Sequence, residues 1–487
     1  MSGINRLIVA LLLLLTMTVL GGCGASDSPM LKDDPAQPVE LTWYMIGPTP
    51  EDLPQVVAEI NKYTKEKINA TVKIVMFDYG DYLNKMNVVA SSGEHFDICF
   101  LASWSFDMRT NATRGTIIPL DELMAKYGTE TLKAVDPLFW EGSKINGKHY
   151  AIPANKEVAT QDVYVFNEKY VVKYNIDVNG IKKLRDLEPY FAAIHKAEPG
   201  VFGTGALDDY QPGTLDYLID PRMPGAIRMD DASCTVINQY NDHDYLELVN
   251  TYRDFYLKGY LRPDIHTAKQ IKDFKNGNQV VSILQTQPYA DLIWTRQYGW
   301  PVVVKPFFEP PIIVTSGAIG AMMAISAASE HPARAMKFLN LLNTDPYLRN
   351  LVSYGVEGVH YRKIGPTQIS NDAPRAKNYG IPAWSPGNNF ILYTVEKDPP
   401  DKWQAFQAFN ASGRKSPVFG FVFDPTALKN EIAAIKNLAE EFGPSIERGA
   451  VDPKVAIPQF LERAKNAGMD KVLAEMQRQV DAWKKTR

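Results

Sequence analysis

Apolar residues are spaced differently in successive parts of this chain, and each spacing predicts a different element. Leu7 to Leu20 is an almost unbroken apolar run behind Arg6. It is too short to cross a bilayer stably, and with Gly21 and Gly22 after it the run reads as a secretion signal that is removed. From residue 40 the pattern changes. ELTWYM at 40–45 is β-rich, and Leu53, Val56, Val57, Ile60 and Tyr63 repeat at helical spacing. A strand follows at 71–77, a helical stretch at 79–91 and a buried strand at 96–102. This β-α-β-α-β order predicts a parallel sheet covered on both faces, with ligands beyond the carboxyl ends of its strands, here residues 44–49 and 103–107. Asn146-Gly147, between two strand-like runs, predicts a hairpin turn of the mirror-image type. Helical spacing returns at 181–196, 245–258 and 333–342, and strands are expected near 163–167, 280–284 and 301–307. The glycine-punctuated segment 311–327 reads as a buried crossing strand and turn rather than a membrane span. Leu428, Ile432, Ile435, Leu438 and Phe442 mark one helix near the end, and Met469, Val472, Leu473, Met476, Val480 and Trp483 another. The fold class is α/β.

Composition narrows the partners. Hydrophobic residues at 45% and charged residues at 22% are ordinary globular values. With 52 basic against 56 acidic side chains the net charge is only −4, so no field exists to recruit nucleic acid or anionic headgroups. Cys23 closes the first apolar run, Cys99 sits in the apolar strand FDICFLA and Cys234 in a polar stretch. Surroundings so different predict free thiols at Cys99 and Cys234 rather than a bridge. The segment after Cys23, GASDSPMLKDDPAQPVE, has no hydrophobic period and predicts a flexible tether over 23–39.

Motifs with catalytic or cofactor chemistry fail on inspection. Gly142 to His149 nearly matches a phosphate loop, but His149 replaces the magnesium-binding hydroxyl and the glycines belong to a hairpin, not a helix start. Gly203-Thr204-Gly205 lacks the third glycine of a dinucleotide fingerprint. The spacing Ser412 to Lys415 has no companion motif of an acyl enzyme. The seven histidines are scattered, with no zinc spacing. Asn175, Asp177, Asn179 and Asp186, with Gly180 between, place oxygen groups as a calcium loop would. Asn179 capping a helix over 181–196 is the simpler reading, so neither cofactor nor metal is expected. Aromatics are more informative: Trp104, Tyr289, Trp294 and Trp384 lie in loops or at strand ends beside polar groups. A sugar presents apolar CH faces and a rim of hydroxyls, so its receptor needs flat rings flanked by Asp, Glu, Asn or Arg. For a single ring, core packing competes with this role. Trp104 stands apart because it follows a buried strand at the ligand-binding end of the sheet.

The Leu20-Gly21-Gly22-Cys23 ending resembles the lipobox of bacterial lipoproteins, which implies a signal peptide over 1–22 and a diacylated Cys23 as the mature N-terminus. Together with LTWYMIG, FDICFLASW and INGKHYAIP it resembles extracellular solute-binding lipoproteins of bacterial carbohydrate ABC importers. YGVEGVHY, SPVFGFVFDPTALKNEIAAIKN and ERAKNAGMDKVLAEMQRQVDAW are similar to the LplA-type branch. The resemblance implies two discontinuous α/β lobes joined by hinge strands, lobe one at 40–156 and 312–365 and lobe two at 157–311 and 366–487. Crossings would fall near 155–161, 309–314 and 365–368, and a carbohydrate would lie in the cleft, with Trp104 and Trp384 stacking on it from opposite lobes. It also implies a lipid-anchored monomer on the extracytoplasmic face that closes on its ligand and docks on permease subunits, with ATP hydrolysis left to a partner. The ligand-binding candidates are Tyr44, Ser103, Trp104, Asp107, Asn155, Asp208, Trp294, Glu357 and Trp384. Two other classes stay open: a glycoside hydrolase or lyase using a carboxylate pair from Asp107, Asp208, Asp209 and Glu357, and a sugar-sensing lipoprotein.

Overall fold

Strand β1 (Val39–Ile46) leads into helix α1 (Leu53–Ile68), β2 (Ala70–Phe77), α2 (Tyr82–Ser92) and β3 (Ile98–Leu101) in the computed structural model, which describes residues 29–206, 213–266 and 273–486. A proline in the first turn starts α1, and Asn69, in the left-handed conformation, ends it by returning its N–H to Lys65 and Thr64 carbonyls. Leu53, Val56, Ile60 and Thr64 form its buried face. All four residues of β3 are buried, as suits a strand covered on both faces. β1 pairs in parallel with β2 on one side and β3 on the other. Strands Met322–Ile325 and Ile152–Pro153 extend the sheet beyond β3 in antiparallel fashion. The chain therefore reverses its winding direction between β1 and β3, which opens a crevice at their carboxyl ends. Helix Pro332–Thr344 closes one face, and Trp43 at the sheet centre meets Phe338 edge-on at 5.4 Å.

A second body holds a sheet in the order Val302–Pro306, Asp162–Asn167, Gln279–Gln285, Phe202–Thr204. Phe166, Phe191, Tyr252, Phe255 and Val281 form the core beside it. A neighbouring core is built by helices Lys429–Glu447, Pro453–Asn466 and Met469–Lys484 around Ile435, Phe460, Val472 and Met476. The two bodies are joined by a small three-stranded sheet. Its middle strand, Ile312–Ile313, runs antiparallel to Ala159–Thr160 and parallel to Arg414–Lys415.

Several expectations need correcting. The turn at 365–368 is no crossing: it lies between strands Arg362–Lys363 and Gln368–Ser370, and the third hinge strand is Arg414–Lys415. Residues 366–412 pack on the first body, because Tyr379 and Ile381 enter its core and Arg375 Nε donates to Asp52 at 2.6 Å. The helix expected over 181–196 begins at Glu188, after short turns at Val178–Gly180 and Leu184–Leu187. The cap is Asp177, which accepts from the Gly180 N–H at 3.1 Å, and Asp186 accepts from the N–H groups of Lys182 and Lys183 at 2.9 and 3.0 Å. Asn175 ends helix Glu168–Tyr174 in the left-handed conformation. The Asp177 and Asp186 oxygens are thus used as local caps, and no cluster of three metal-binding side chains occurs among the described residues.

Residues 31–37, expected to belong to a flexible tether, are docked on the first body instead. Asp33 lies against helix Pro332–Thr344, where Arg334 Nη2 and Lys337 Nζ reach its carboxylate at 2.8 and 2.6 Å. Arg334 is only 1% exposed and also donates to the Asp34 and Asn69 carbonyls, while Tyr127 donates its hydroxyl to the Leu31 carbonyl. An anionic partner offsets much of the cost of burying this guanidinium, and Asp33 in the segment 31–37 supplies it. Cys23 lies outside the described residues. Cys99 and Cys234 are both free and buried, as expected. Asn146 and Gly147, both at positive φ, make the expected hairpin turn between Lys144–Ile145 and Lys148–His149.

Candidate functional site

Past the carboxyl end of β3 the chain makes a tight turn in which the backbones of Ala102 and Ser105 exchange hydrogen bonds of 2.9 and 3.1 Å. The turn pushes Ser103 and Trp104 outward. Ser103 N–H donates to the Ile319 carbonyl at 2.9 Å and Trp104 Nε1 to that of Gly320 at 3.0 Å, so the indole is fixed although 54% exposed. Trp384 lies 6.0 Å from Trp104, and Tyr79, two residues past β2, stacks nearly parallel to Trp384 at 6.3 Å and 28°. Fully buried Phe100 underlies both tryptophans at 5.9 Å. Three partly exposed rings thus form one platform at the crevice of the first sheet. Trp104 and Trp384 do not face each other from opposite lobes: Trp384 packs against the first core, together with the segment that carries it.

The loop that holds Trp104 continues into the space between the bodies. A cavity of about 290 Å³ there is lined by residues 156–160 of the hinge, Gln285 to Gln287, Ala290, Ile293, Trp294 and Gly317. Gly317 belongs to the first body, and a side chain there would meet the Val158 carbonyl at 2.6 Å, so the loop lies tight on the hinge. Ala290, Ile293 and Trp294 come from one face of helix Ala290–Tyr298 of the second body. Polar groups line the hinge side, where Lys156 pairs with Glu157 at 2.7 Å. The same helix bridges the bodies directly. Tyr289, held at φ 64°, donates its hydroxyl to the Asp401 carboxylate at 2.9 Å, and Arg296 meets Asp398 at 2.7 Å and the Lys397 carbonyl at 2.7 Å. The hydrogen bond to Asp401 raises the Tyr289 pKa above its usual value.

Of the residues expected here, Ser103, Trp104 and Trp384 meet on the platform and Trp294 lines the cavity. Others are occupied elsewhere. Tyr44 is 4% exposed and donates to Glu94 at 2.5 Å, a core side chain whose burial raises its pKa. Asp107 caps helix Met108–Thr113 by accepting from the Thr110 N–H at 2.8 Å. Asn155 is 1% exposed and ties Ala134, Asp136 and Asn388 together. Glu357 pairs with Lys363 at 3.2 Å on the surface of the first body. Asp208 and Asp209 lie outside the described residues. Tyr79 and the Tyr289–Arg296 bridge were not anticipated, although Tyr79 obeys the strand-end rule that marks Trp104.

Two α/β bodies, a hinge sheet crossed three times and a polar cavity beside an aromatic platform define a two-lobed solute receptor. The chain belongs to the bacterial extracellular solute-binding protein family, whose model matches residues 47–347. Residues 417–485 match a domain of unknown function, DUF3502. The chain is 32% identical over 476 residues to a carbohydrate ABC transporter substrate-binding protein of Streptococcus pneumoniae serotype 4, covering 96% of each chain. It superposes on the N-glycan transport solute binding protein NgtS from Streptococcus pneumoniae with a TM-score of 0.83, at 32% identity, over 92% of this chain and 99% of that one. Against NgtS in complex with Man1GlcNAc the TM-score is 0.76 at 31% identity, over 91% and 99% of the two chains. An HMO binding, ABC-transporter associated solute binding protein from Bifidobacterium longum infantis, at 14% identity and a TM-score of 0.66 over 92% and 99% of the chains, shares the fold. Membership places the protein among substrate-binding components of ABC transporters, not among enzymes.

Proposed function

We propose that this protein is a lipid-anchored, extracytoplasmic receptor that captures an oligosaccharide between its lobes and delivers it to the permease subunits of an ABC importer. The observation that carries the reading is the three-ring platform of Tyr79, Trp384 and Trp104 beside the polar inter-lobe cavity. Rings of this kind match the CH faces of successive sugar units, while hinge amides and the Lys156–Glu157 pair suit hydroxyls. Successive separations of 6.3 and 6.0 Å give a contact surface longer than one pyranose, which favours an oligosaccharide over a monosaccharide. The NgtS complexes with Man1GlcNAc and Man5GlcNAc support an N-glycan-like ligand. The TM-score of 0.83 against one NgtS structure, versus 0.76 and 0.74 against the complexes with Man1GlcNAc and Man5GlcNAc, supports a lobe rearrangement on binding. On this reading lobe one is 29–158 and 314–412, and lobe two is the described part of 161–311 and 416–486.

Calorimetric titration of the protein with Man1GlcNAc and longer mannosyl oligosaccharides, with the recovered sugar analysed afterwards, tests the reading. Saturable binding of intact ligand is expected. Absence of binding to every such oligosaccharide sinks it. For the anchor, mass spectrometry of the membrane-extracted N-terminus should show an acylated Cys23, and C23S should be released as soluble protein. An unmodified N-terminus at another residue contradicts that part.

A further inference from the structure

Arg349, on helix Pro346–Tyr354, is fully buried, and none of its four acceptors is a carboxylate. Its Nε donates to the Asn388 carbonyl at 3.1 Å, its Nη2 to the Ala383 carbonyl and Asn389 Oδ1 at 2.9 Å each, and its Nη1 to Ser353 Oγ. A buried cation without an anion is costly, so stability alone gives little reason for one here. What the guanidinium does have is a rigid fork of donors, and all but one of its acceptors lie in residues 383–389. Trp384 is in that stretch. The loop is drawn close: at Gly387, φ +62°, a side chain would meet the Leu342 carbonyl at 2.8 Å and Arg349 Cδ at 3.2 Å. From the other side Asn155 grips the same loop, donating its N–H to the Gly387 carbonyl at 3.0 Å and accepting from the Asn389 N–H at 2.9 Å.

We propose that Arg349 is the positioning residue of the aromatic platform: it clamps the 383–389 loop from below so that Trp384 sits against Trp104 and Tyr79 in the unliganded protein. Residues 383–387, which form only turns and bends, would otherwise sample several positions, and each would have to be frozen out when a ligand binds. Arg349 itself touches no ligand. The proposal rests on the platform being the sugar-contacting surface, and the test separates the two.

The full chain is labelled with 5-fluorotryptophan, and among its eight tryptophans the Trp384 ¹⁹F resonance is assigned by its loss in W384F. R349K keeps the charge without the fork. In R349K the Trp384 resonance should shift or broaden while that of core Trp43 stays in place, and the dissociation constant for Man1GlcNAc should rise at least fivefold. N389A, which removes one acceptor and spares the arginine, should give a smaller change in the same direction, and it decides the matter if R349K loses the Trp43 signal of a folded core. An unmoved Trp384 resonance in either folded variant overturns the positioning role. A moved resonance with an unchanged dissociation constant overturns the platform as the sugar surface and leaves Arg349 as the residue that places it.

Discussion

A tryptophan that is 54% exposed yet hydrogen-bonded through its indole nitrogen contributes little to folding and has its apolar face free, which is why Trp104 is the residue on which binding should depend most directly. W104A should weaken oligosaccharide affinity well over tenfold and move the unliganded melting temperature by no more than a few degrees. W384A should weaken affinity as much but also cost stability, because Trp384 is the less exposed of the two and packs against the first core. Paired melting curves and titrations check both, and a large stability loss in W104A with unchanged affinity would make Trp104 a core residue. Trp104 was legible from sequence because the fully apolar FDICFLA fixes a buried strand and the residues after such a strand face the crevice. The same rule reaches Tyr79, but Tyr44 misled because β1 runs on to Ile46, leaving Tyr44 inside the sheet. Asp107 and Asn155 are engaged away from the platform for another reason. Their polar atoms satisfy nearby backbone groups, and for an aspartate ahead of a short helix that is the commoner fate.

Elements with a strong period were legible, and elements held only by distant partners were not. The β-α-β-α-β opening follows from alternation and helical spacing. Arg414–Lys415, by contrast, is two exposed residues long and is a strand only because Ile312–Ile313 lies beside it. Helix Ala290–Tyr298 illustrates the functional cost of such partners, since its bridge to Asp398 and Asp401 must break or slide whenever the inter-lobe angle changes. On the proposed reading that binding rearranges the lobes, these contacts oppose leaving the described disposition. Removing them in Y289F/R296Q should therefore tighten binding by about two- to fivefold, the range that exposed pairs of roughly 0.5–1 kcal/mol allow. The factor should be the same for every sugar, because neither side chain is part of the platform. Calorimetry across a ligand series checks this, and a factor that varies with the sugar would mean that Tyr289 or Arg296 contacts ligand.

For the whole molecule, the unexpected feature is the docking of residues 31–37 on the first lobe. Burial alone would raise the Asp33 pKa, but hydrogen bonds from Lys337 and Arg334 outweigh it and hold the carboxyl below its usual range. A lowered pKa means that this contribution is full above the ordinary carboxylate value of about 4 and is lost as pH falls through the folded value beneath it. The segment should thus resist limited proteolysis at pH 7 and pH 5 alike and become cleavable in stronger acid. D33N should be cleaved there at neutral pH, and equal resistance in D33N would show that the ion pairs do not hold the segment. Composition could not reveal the docking, because the partner, Arg334, lies some three hundred residues away and reads as a surface cation in an amphipathic helix. With the start of the described chain fastened to one lobe and its last helix, Met469–Lys484, built into the other, an odd number of hinge crossings acquires a practical meaning. The ends of the described chain ride on opposite arms of the hinge, and the free thiols of Cys99 and Cys234 are buried. Dyes placed through K32C and K485C, both at exposed positions, would convert lobe movement into a change in energy transfer, making the labelled protein an optical gauge of free sugar.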